Sequence, residues 1–248
     1  MIEWEKYTWI EIKEKLKKIK AVILPVGSIE QHGPHLPLAC DTLGAIKLSI
    51  AVAERLEEHV LILPPIYFGV SEHHMDFPGT ITLSPETLIS LVYDIANSLH
   101  RHSVGKMIII NGHGGNISPL SIAIRKIKSE IGIDVALVNP WELIKDVISK
   151  TIESDVWGHA CEFETSLAFV EMPELIRREK IRDPKIKEPA PYTAIWGENR
   201  VVTPWRTIEF TDTGSIGYPT RASKEKGEKL WNAMVDRVSE FIKGFIKI

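Results

Sequence analysis

The sequence predicts an α/β domain in which a mainly parallel sheet is flanked by helices on both faces, giving three layers. Short runs rich in Val, Ile and Leu alternate with longer segments whose apolar residues recur every three to four positions. The 248 residues, of which 44% are hydrophobic and 25% charged, have the size and composition of a globular domain with a large core. No repeat, low-complexity tract or flexible linker interrupts the chain, so we expect residues 1–248 to form a single domain.

Four apolar runs have the composition of strands that are buried on both faces of a sheet. These predicted strands are Ala21–Val26, Val60–Ile66, Lys106–Ile110 and Val135–Val138. The predicted helices are Thr42–Glu58, Pro85–His102, Ile117–Ile131 and Glu225–Ile246. Ser84 before Pro85 is typical of a helix start, because Ser caps free N–H groups and Pro fits the first turn. Strands that alternate with helices in this way are typical of parallel sheets.

Charge and hydropathy exclude several classes of protein. The 30 basic residues against 33 acidic ones give a formal net charge of -3, which provides no positive surface for nucleic acid or an anionic membrane. No stretch approaches the roughly 18 apolar residues of a membrane span, and the first twenty residues lack the apolar core of a signal peptide. Cys40 and Cys161 are too few for a disulfide framework and are not spaced as a metal-binding pair. We therefore expect a cytoplasmic protein.

Three of the predicted strands end in loops that carry histidines beside glycines. These loops read GSIEQHGPH from Gly27, YFGVSEHH from Tyr67 and NGHGGN from Asn111. In doubly wound sheets, ligands collect outside the carboxyl ends of the strands. Five of the nine histidines lie in these loops and a sixth lies in one further cluster, and we expect all six to converge on one edge of the sheet. These histidines are His32, His35, His73, His74, His113 and His159.

Glu30, His32 and Asp41 have the composition of a metal-ligand set. An acid and an imidazole two residues apart in an extended loop can turn toward one point, and Asp41 opens the next predicted helix. Zinc, manganese and iron all accept mixed carboxylate and imidazole ligands, and one carboxylate can bridge two ions. His113, which lies between two glycines, adds a ligand from a neighbouring strand. The alternatives are Asp41 as a plain helix cap and the glycine-rich loop as a phosphate site at a helix N-terminus.

A second cluster, Gly158–Ser166, begins a helix that is predicted to run to about Val170. His159 and Glu162 are three residues apart and would share a helical face, whereas Glu164 would point elsewhere. His159 can accept or donate a proton near neutral pH, and Glu162 is a candidate both for catalysis and for completing a metal shell. The alternative is a plain helix start, in which acidic residues are favoured by the helix dipole.

Candidate substrate-binding residues lie beside these clusters. Trp141 follows Asn-Pro just past a strand end, where it could form a wall of a substrate pocket. His73 lies in the loop Gly69–Leu83, which we expect to border the same edge. The backbone amides of Gly114 and Gly115 are candidates for stabilising an oxyanion. Serine hydrolysis is disfavoured, because the chain has no G-x-S-x-G motif.

In these motifs the chain resembles the creatininase family of metal-dependent amidohydrolases, which includes an archaeal formamide hydrolase of flavin and deazaflavin biosynthesis and peptide-processing members. The resemblance covers nearly the whole chain. The matching segments are LPVGSIEQHGPHLPLACD from Leu24, FPGT from Phe77, NGHGGN from Asn111, HACEFETS from His159 and GYPTRASKEKG from Gly217.

The resemblance implies a dinuclear site with two divalent metal ions per chain, zinc before manganese or iron. Glu30 and His113 would hold one ion and His32 the other. Asp41 would bridge the two ions. The resemblance also implies a small-molecule amide as substrate and a homo-oligomer, with a hexamer as the expected state.

The chain departs from the creatinine-hydrolysing members of this family at two positions. Those members have a metal-binding glutamate two residues after the ligand histidine, where this chain has Gly115. We expect Glu162 to supply the missing carboxylate, with Glu164 as the other candidate. The tryptophan that those members place four residues before the catalytic histidine is Asp155 here, which argues against creatinine itself.

Together these residues predict a metal-dependent amidohydrolase that cleaves a small or cyclic non-peptide amide with metal-activated water. His159 would pass a proton to the leaving nitrogen. One alternative is a formamide hydrolase acting on a ribosylaminopyrimidine phosphate, for which Arg221 and Lys224 are the candidate phosphate ligands. An alternative from another class is a non-catalytic metal- or metabolite-binding module.

Overall fold

Four parallel strands form the main sheet of the computed structural model, which describes residues 2–187, 201 and 203–248. The strands are β1 (Ala21–Val26), β2 (Val60–Ile62), β3 (Lys106–Asn111) and β4 (Asp134–Val138). They lie in the spatial order β2-β1-β3-β4, which confirms the predicted parallel sheet. β2 ends four residues earlier than expected, because Pro64 and Pro65 have no N–H for the strand ladder.

Helices cover both faces of this sheet. They are α1 (Trp9–Lys15), α2 (Cys40–Arg55), α3 (Pro85–Arg101), α4 (Ile117–Glu130), α5 (Pro140–Leu143), α6 (Lys145–Thr151), α7 (Glu162–Glu171) and α8 (Lys224–Ile246). One apolar core packs α2, α7 and α8 on one face, and a second core packs α3 and α4 on the other. Successive residues of β1 alternate between the two cores, with Ile23 in the first and Leu24 in the second. The three-layer arrangement is confirmed.

The helix starts follow capping chemistry where the sequence carries it. The Ser84 side chain accepts a hydrogen bond from the Thr87 N–H at 3.2 Å, and Pro85 occupies the first turn of α3 as predicted. α2 begins at Cys40, two residues before the predicted start, and ends at Arg55. Among the helices of the described residues, none is long and apolar enough to cross a membrane.

A two-stranded antiparallel sheet, which the sequence analysis did not predict, pairs β5 (Trp157–His159) with β6 (Ile216–Gly217). β5 ends just before α7, so this pairing places His159 at the N-terminal end of that helix. Gly217 has a φ of 127°, and a Cβ there would lie 2.5 Å from the Cβ of Cys161, so only glycine fits this approach. A segment remote in sequence thus fixes the position of the predicted catalytic histidine.

Candidate metal centre

The candidate metal ligands meet where β1 and β3 end side by side. The two strands are paired up to their last residues, so the loops that follow them leave the same edge together. The loop after β1 carries Glu30 and His32, and the loop after β3 carries His113. This edge is closely packed because Gly112 has no side chain: a Cβ there would lie 2.3 Å from the Asp41 carbonyl oxygen.

Glu30, His32, Asp41 and His113 form one buried cluster of carboxylates and imidazoles. His32 Nε2 lies 2.9 Å from Asp41 Oδ1, and His113 Nδ1 lies 3.1 Å from Asp41 Oδ2. His113 Nδ1 is also 3.2 Å from Glu30 Oε2. The Asp41 carboxylate therefore stands between two imidazoles instead of capping α2, as its predicted bridging role requires.

Two carboxylate oxygens of this cluster, Glu30 Oε1 and Asp41 Oδ2, are buried and receive no hydrogen bond from the described residues. Buried carboxylates are normally paired, hydrogen-bonded or bound to a metal. Burial alone would lower the pKa of His32, but the Asp41 carboxylate raises it to about 10. Glu30 and Asp41 likewise raise the pKa of His113 well above its ordinary value, against the effect of burial. This environment favours bound cations, and its oxygen and nitrogen donors suit zinc, manganese or iron.

Two further histidines extend the cluster on either side of Glu30. One group of ligand atoms within 4.8 Å of one another comes from Glu30, His32 and His159. A second such group comes from Glu30, His73 and His113. The ring of His73 stacks on that of His113, with centroids 5.6 Å apart. His73, predicted to bind substrate, is therefore also a candidate metal ligand.

His159 lies beside this cluster in a form that can exchange a proton. Its Nε2 donates to the Gln31 carbonyl oxygen, and because a carbonyl can only accept, the Nδ1 atom keeps a free lone pair. That Nδ1 lies 3.6 Å from Glu30 Oε1. Burial, together with the positive charge of His32, lowers the pKa of His159 to about 3. A neutral imidazole with an available lone pair is suited to bind a metal or to accept a hydrogen bond.

A cavity of about 1250 Å³ opens onto the cluster. Its lining includes the residues that the sequence predicts to contact substrate, which are His73, Gly114, Gly115 and Trp141, together with His159. A Cβ at Gly114 would meet no atom within 4 Å, so the backbone there faces open space. A concave site with buried titratable groups is typical of an enzyme active site.

The family model for creatininase, described as creatinine amidohydrolase, matches residues 5–242. The chain belongs to the creatininase family. A creatinine amidohydrolase from Pseudomonas putida is 29% identical over 257 residues, which cover 95% of this chain and 94% of that protein. A mycofactocin precursor peptide peptidase from Mycobacterium ulcerans (strain Agy99) is 30% identical over 223 residues, which cover 87% of this chain and 82% of that protein. Members of the creatininase family are hydrolases that act on C–N amide bonds.

Solved creatininase structures share this fold. One crystal structure of creatinine amidohydrolase is 28% identical and matches 99% of this chain and 98% of that chain with a TM-score of 0.84. A manganese form of creatininase is 26% identical and matches the same shares with a TM-score of 0.82. A variant creatininase of Zn–Zn type, also 26% identical, matches the same shares with a TM-score of 0.83. The family relationship predicted from the motifs is confirmed, and these relatives support divalent metal binding.

Position 115 of this chain, which is Gly115, has no space for the side chain of a glutamate. A Cβ there would lie 2.1 Å from the Val70 carbonyl oxygen and 2.5 Å from His113 Nε2. Real Cβ atoms do not approach other atoms so closely, and the first contact is with backbone that cannot move aside. The glutamate of the creatinine-hydrolysing members is therefore excluded sterically at this position.

Glu162 does not supply the missing ligand, contrary to the prediction. Its buried carboxylate accepts hydrogen bonds from the N–H groups of Glu153 and Ser154 at 3.1 and 2.9 Å. The Lys226 ammonium lies 2.6 Å from its Oε1. Although burial acts to raise the pKa of Glu162, Lys226 and the Ser154 hydroxyl hold it below its ordinary value. Glu162 is the first residue of α7 and turns back toward the preceding loop, so it lies at neither the metal cluster nor the cavity.

Glu164 faces the cavity instead, which corrects the expectation that it points elsewhere. One of its oxygens accepts a hydrogen bond from the Ala160 N–H. Burial raises the pKa of Glu164 to about 7, although the positive charge of His32 acts in the opposite direction. Successive helical residues are about 100° apart around the axis, so Glu162 and Glu164 project in different directions.

Ser71 forms hydrogen bonds with two residues of the cluster, a role that the sequence did not indicate. Its hydroxyl donates to Glu30 Oε2 at 2.6 Å and lies 3.2 Å from His113 Nε2. Hydrogen bonds of this kind fix the orientation of metal ligands. The only sequence signal was its place beside His73 in a loop that was expected to border the site.

Two of the histidines expected at this edge have other roles. His74 Nδ1 accepts from the Gln31 amide at 2.8 Å, so its Nε2 carries the proton and faces Glu30 Oε1 at 3.4 Å. That nitrogen is therefore not available as a metal ligand, and at this geometry it makes no hydrogen bond to Glu30. His35 hydrogen-bonds to the Thr165 hydroxyl at 2.8 Å in the interior and does not line the cavity.

The predicted phosphate ligands also lie away from the cavity. The Arg221 guanidinium stands 4.8 Å from the centroid of the Tyr218 ring. Lys224 forms an ion pair with Glu228 at 3.4 Å. Neither cation is among the described residues that line the cavity.

Proposed function

We propose that this chain hydrolyses a small or cyclic non-peptide amide with two divalent metal ions per chain, zinc first among them. The observation that carries this proposal is the pair of buried carboxylate oxygens, Glu30 Oε1 and Asp41 Oδ2, which receive no hydrogen bond from the described residues. Imidazole nitrogens surround them at 3.1 to 3.6 Å. Membership of the creatininase family supports hydrolysis of a C–N amide bond as the chemistry.

The residues of the cluster would hold the two ions. Glu30 and His113 would bind one ion and His32 the other, with Asp41 between them. His73 would bind the metal in place of the glutamate that is excluded at position 115. One of its ring nitrogens lies within 4.8 Å of ligand atoms of Glu30 and His113. When bound, two such ions polarise an amide carbonyl and lower the pKa of a water toward about 7.

The residues around the cavity would handle the proton and the substrate. The free Nδ1 of His159 would accept a proton and pass it to the leaving nitrogen, and such transfer contributes about 100- to 10,000-fold to a rate. The backbone amides of Gly114 and Gly115 border the cavity and would stabilise negative charge on the carbonyl oxygen. Trp141 would form an apolar wall.

Metal analysis and one substitution test this proposal. Untagged protein purified without chelator should contain about two zinc, manganese or iron ions per chain by elemental mass spectrometry. His159→Ala should keep the metal and lose about 100-fold or more of the turnover on a panel of small and cyclic amides. His100→Ala, at an exposed position of α3, is the matched control and should be fully active.

Three outcomes of these measurements decide against parts of the proposal. No metal after reconstitution would remove the mechanism. Full activity of the His159 variant would remove its proton-transfer role. Bound metal without hydrolysis of any amide would favour the non-catalytic binding module.

The formamide hydrolase acting on a phosphorylated substrate has less support from the cavity. Both described cations of the lining are already paired, Lys145 with Glu142 and Arg206 with Asp76. A phosphate group would therefore find no unpaired cation among the described lining residues. A small or cyclic amide without a phosphate suits this cavity better.

We also propose a cytoplasmic homo-oligomer, with a hexamer as the expected state. Leu38, Phe68 and Ile81 are large apolar side chains with exposed surface on segments near the site. Exposed apolar groups on neighbouring segments are typical of surfaces that associate. Both cysteines are free and buried, which suits a reducing compartment. Light scattering coupled to gel filtration tests the assembly, and a monomeric mass would contradict it.

A further inference from the structure

Helix α7 presents two carboxylates to the cavity outside the proposed metal-binding set. Glu164 and Glu171 are seven residues apart, which is about two helical turns, so they lie on the same face of α7. Phe163 and Leu167, on this face, line the cavity with them. This side of the cavity therefore continues from the metal cluster along the helix toward Glu171.

Glu171 is a largely buried acidic residue whose carboxylate has no partner among the described residues. Only 7% of its surface is exposed, and none of the described residues donates a hydrogen bond to it or forms an ion pair with it. Burial raises its pKa to about 7, and the positive charge of the nearby Lys47 offsets this effect only in part. Buried carboxylates without a hydrogen-bond donor are uncommon because their desolvation costs free energy. Glu171 thus has the capacity to bind a donor that enters from the cavity.

The opposite wall is shaped to leave the Glu171 carboxylate accessible. Gly44 of α2 lines the cavity one turn after Asp41, the proposed bridging ligand. A Cβ at Gly44 would lie 3.1 Å from Glu171 Oε2, which is tighter than ordinary contact. Asp41, Gly44 and Glu171 line the same cavity, so the cavity extends from the metal cluster to Glu171 as a groove between α2 and α7.

The charges of the lining select the kind of donor. Among the described lining residues there are eight acids but only two lysines or arginines, and both of those cations are paired with acids. The two metal ions would lie at the Glu30 and Asp41 end of the cavity, and neither of the two lining cations pairs with Glu171. Anionic groups such as phosphate or carboxylate would be repelled here, whereas a cation would be attracted.

Apolar side chains line the space around this groove. Leu48 of α2, Leu167 of α7 and Met234 of α8 contribute to the lining, and so does Trp141. Walls of this type accommodate a short hydrocarbon stem. They provide no charged group of their own that could pair with Glu171.

We propose that the groove between α2 and α7 binds a cationic group of the substrate, an ammonium or guanidinium on a short apolar stem, through Glu171 with support from Glu164. This inference rests on the proposed function, because it places the amide of the same molecule at the metal cluster. It identifies the substrate class as amides that carry a basic group a few carbon atoms from the bond that is cleaved.

Binding of simple cations tests the groove without reference to catalysis. Isothermal titration of the metal-loaded protein with n-pentylammonium should show binding at least about tenfold tighter than with 1-pentanol or pentanoate. Glu171→Gln should remove this preference, and Glu174→Gln, an exposed acid just after the helix, should leave it unchanged. Equal binding of the ammonium and the alcohol, or an unaffected preference in Glu171→Gln, would overturn the proposal.

Gly44→Ala provides a second variant that leaves the charge in place. The added Cβ would press on the carboxylate, so the cation should bind several-fold more weakly while 1-pentanol is unaffected. If Glu171→Gln does not fold, Gly44→Ala alone decides, and unchanged ammonium binding in it would overturn the proposal.

A matched pair of amides separates this inference from the proposed function. N-(5-aminopentyl)acetamide should be hydrolysed with kcat/KM at least about tenfold above that of N-pentylacetamide, mainly through KM, and Glu171→Gln should abolish the difference. Equal hydrolysis of both amides would overturn the inference and leave the proposed function intact. Glu171-dependent binding of the ammonium without hydrolysis of either amide would preserve the cation site and remove the proposed hydrolysis of this class.

Discussion

Replacing Glu162 with Gln should destabilise the protein without removing metal. The Glu162 carboxylate receives hydrogen bonds from two backbone N–H groups, from the Ser154 hydroxyl and from Lys226. Breaking one partner of a buried ion pair costs about 3–5 kcal/mol of the free energy of unfolding. The Lys226 side chain is 17% exposed and has a second partner in Glu153, so we expect the lower end, about 3 kcal/mol.

Urea unfolding at two pH values measures this loss. The pKa of Glu162 is lowered in the folded protein, so its charge contributes stability above the unfolded value of about 4.5. That contribution is lost as the pH falls through the lower, folded pKa. The difference in the free energy of unfolding between the wild type and Glu162→Gln should therefore be largest at pH 7 and decrease in strong acid.

A matched control and a metal measurement complete this experiment. Glu228→Gln also removes an acid paired with a lysine of α8, but the pair is exposed, so the cost should stay below about 1 kcal/mol. Metal content per chain should be unchanged in both variants. Loss of one ion from Glu162→Gln with normal stability would refute the structural role of Glu162 and restore it as a ligand.

Three further results are expected at other positions. Gly115→Ala should cost more than about 2 kcal/mol of the free energy of unfolding, because its Cβ would lie 2.1 Å from the Val70 carbonyl oxygen; an unchanged melting temperature would contradict this packing. Ser71→Ala should weaken metal binding about 10- to 100-fold in a chelator competition, because Ser71 donates to Glu30; equal affinity would exclude Ser71 from the site. Glu171→Gln should stabilise the protein by up to about 3 kcal/mol at pH 8 and not at pH 4. The folded pKa of Glu171 is about 7 and its unfolded pKa is near 4.5, so above pH 4.5 ionisation of this residue opposes folding. If urea unfolding gives a difference that does not change with pH, this burial is contradicted.

The residue pattern was enough to predict the sheet, the main helices and the edge at which the candidate site lies. Continuous apolar runs such as Ala21–Val26 form strands because both of their faces are buried, and this requirement is visible in the residues themselves. Parallel strands present their carboxyl ends at one edge, so Glu30, His32 and His113 could be brought together from topology alone. These features depend on local patterns and on one rule of sheet geometry.

The packing of α7 against distant segments determines which of its acidic side chains enters the cavity. Helix α7 begins at Glu162, and this boundary, together with Lys226 from a distant helix, turns Glu162 away and leaves Glu164 facing inward. The contact of the Glu171 carboxylate with Gly44 of α2 likewise joins residues that are far apart in sequence. Side-chain direction changes by about 100° with each helical residue, so a small error in the start of a helix reverses such a prediction. The residues that contact Glu162 and Glu171 lie far away in sequence, so local periodicity does not predict these contacts.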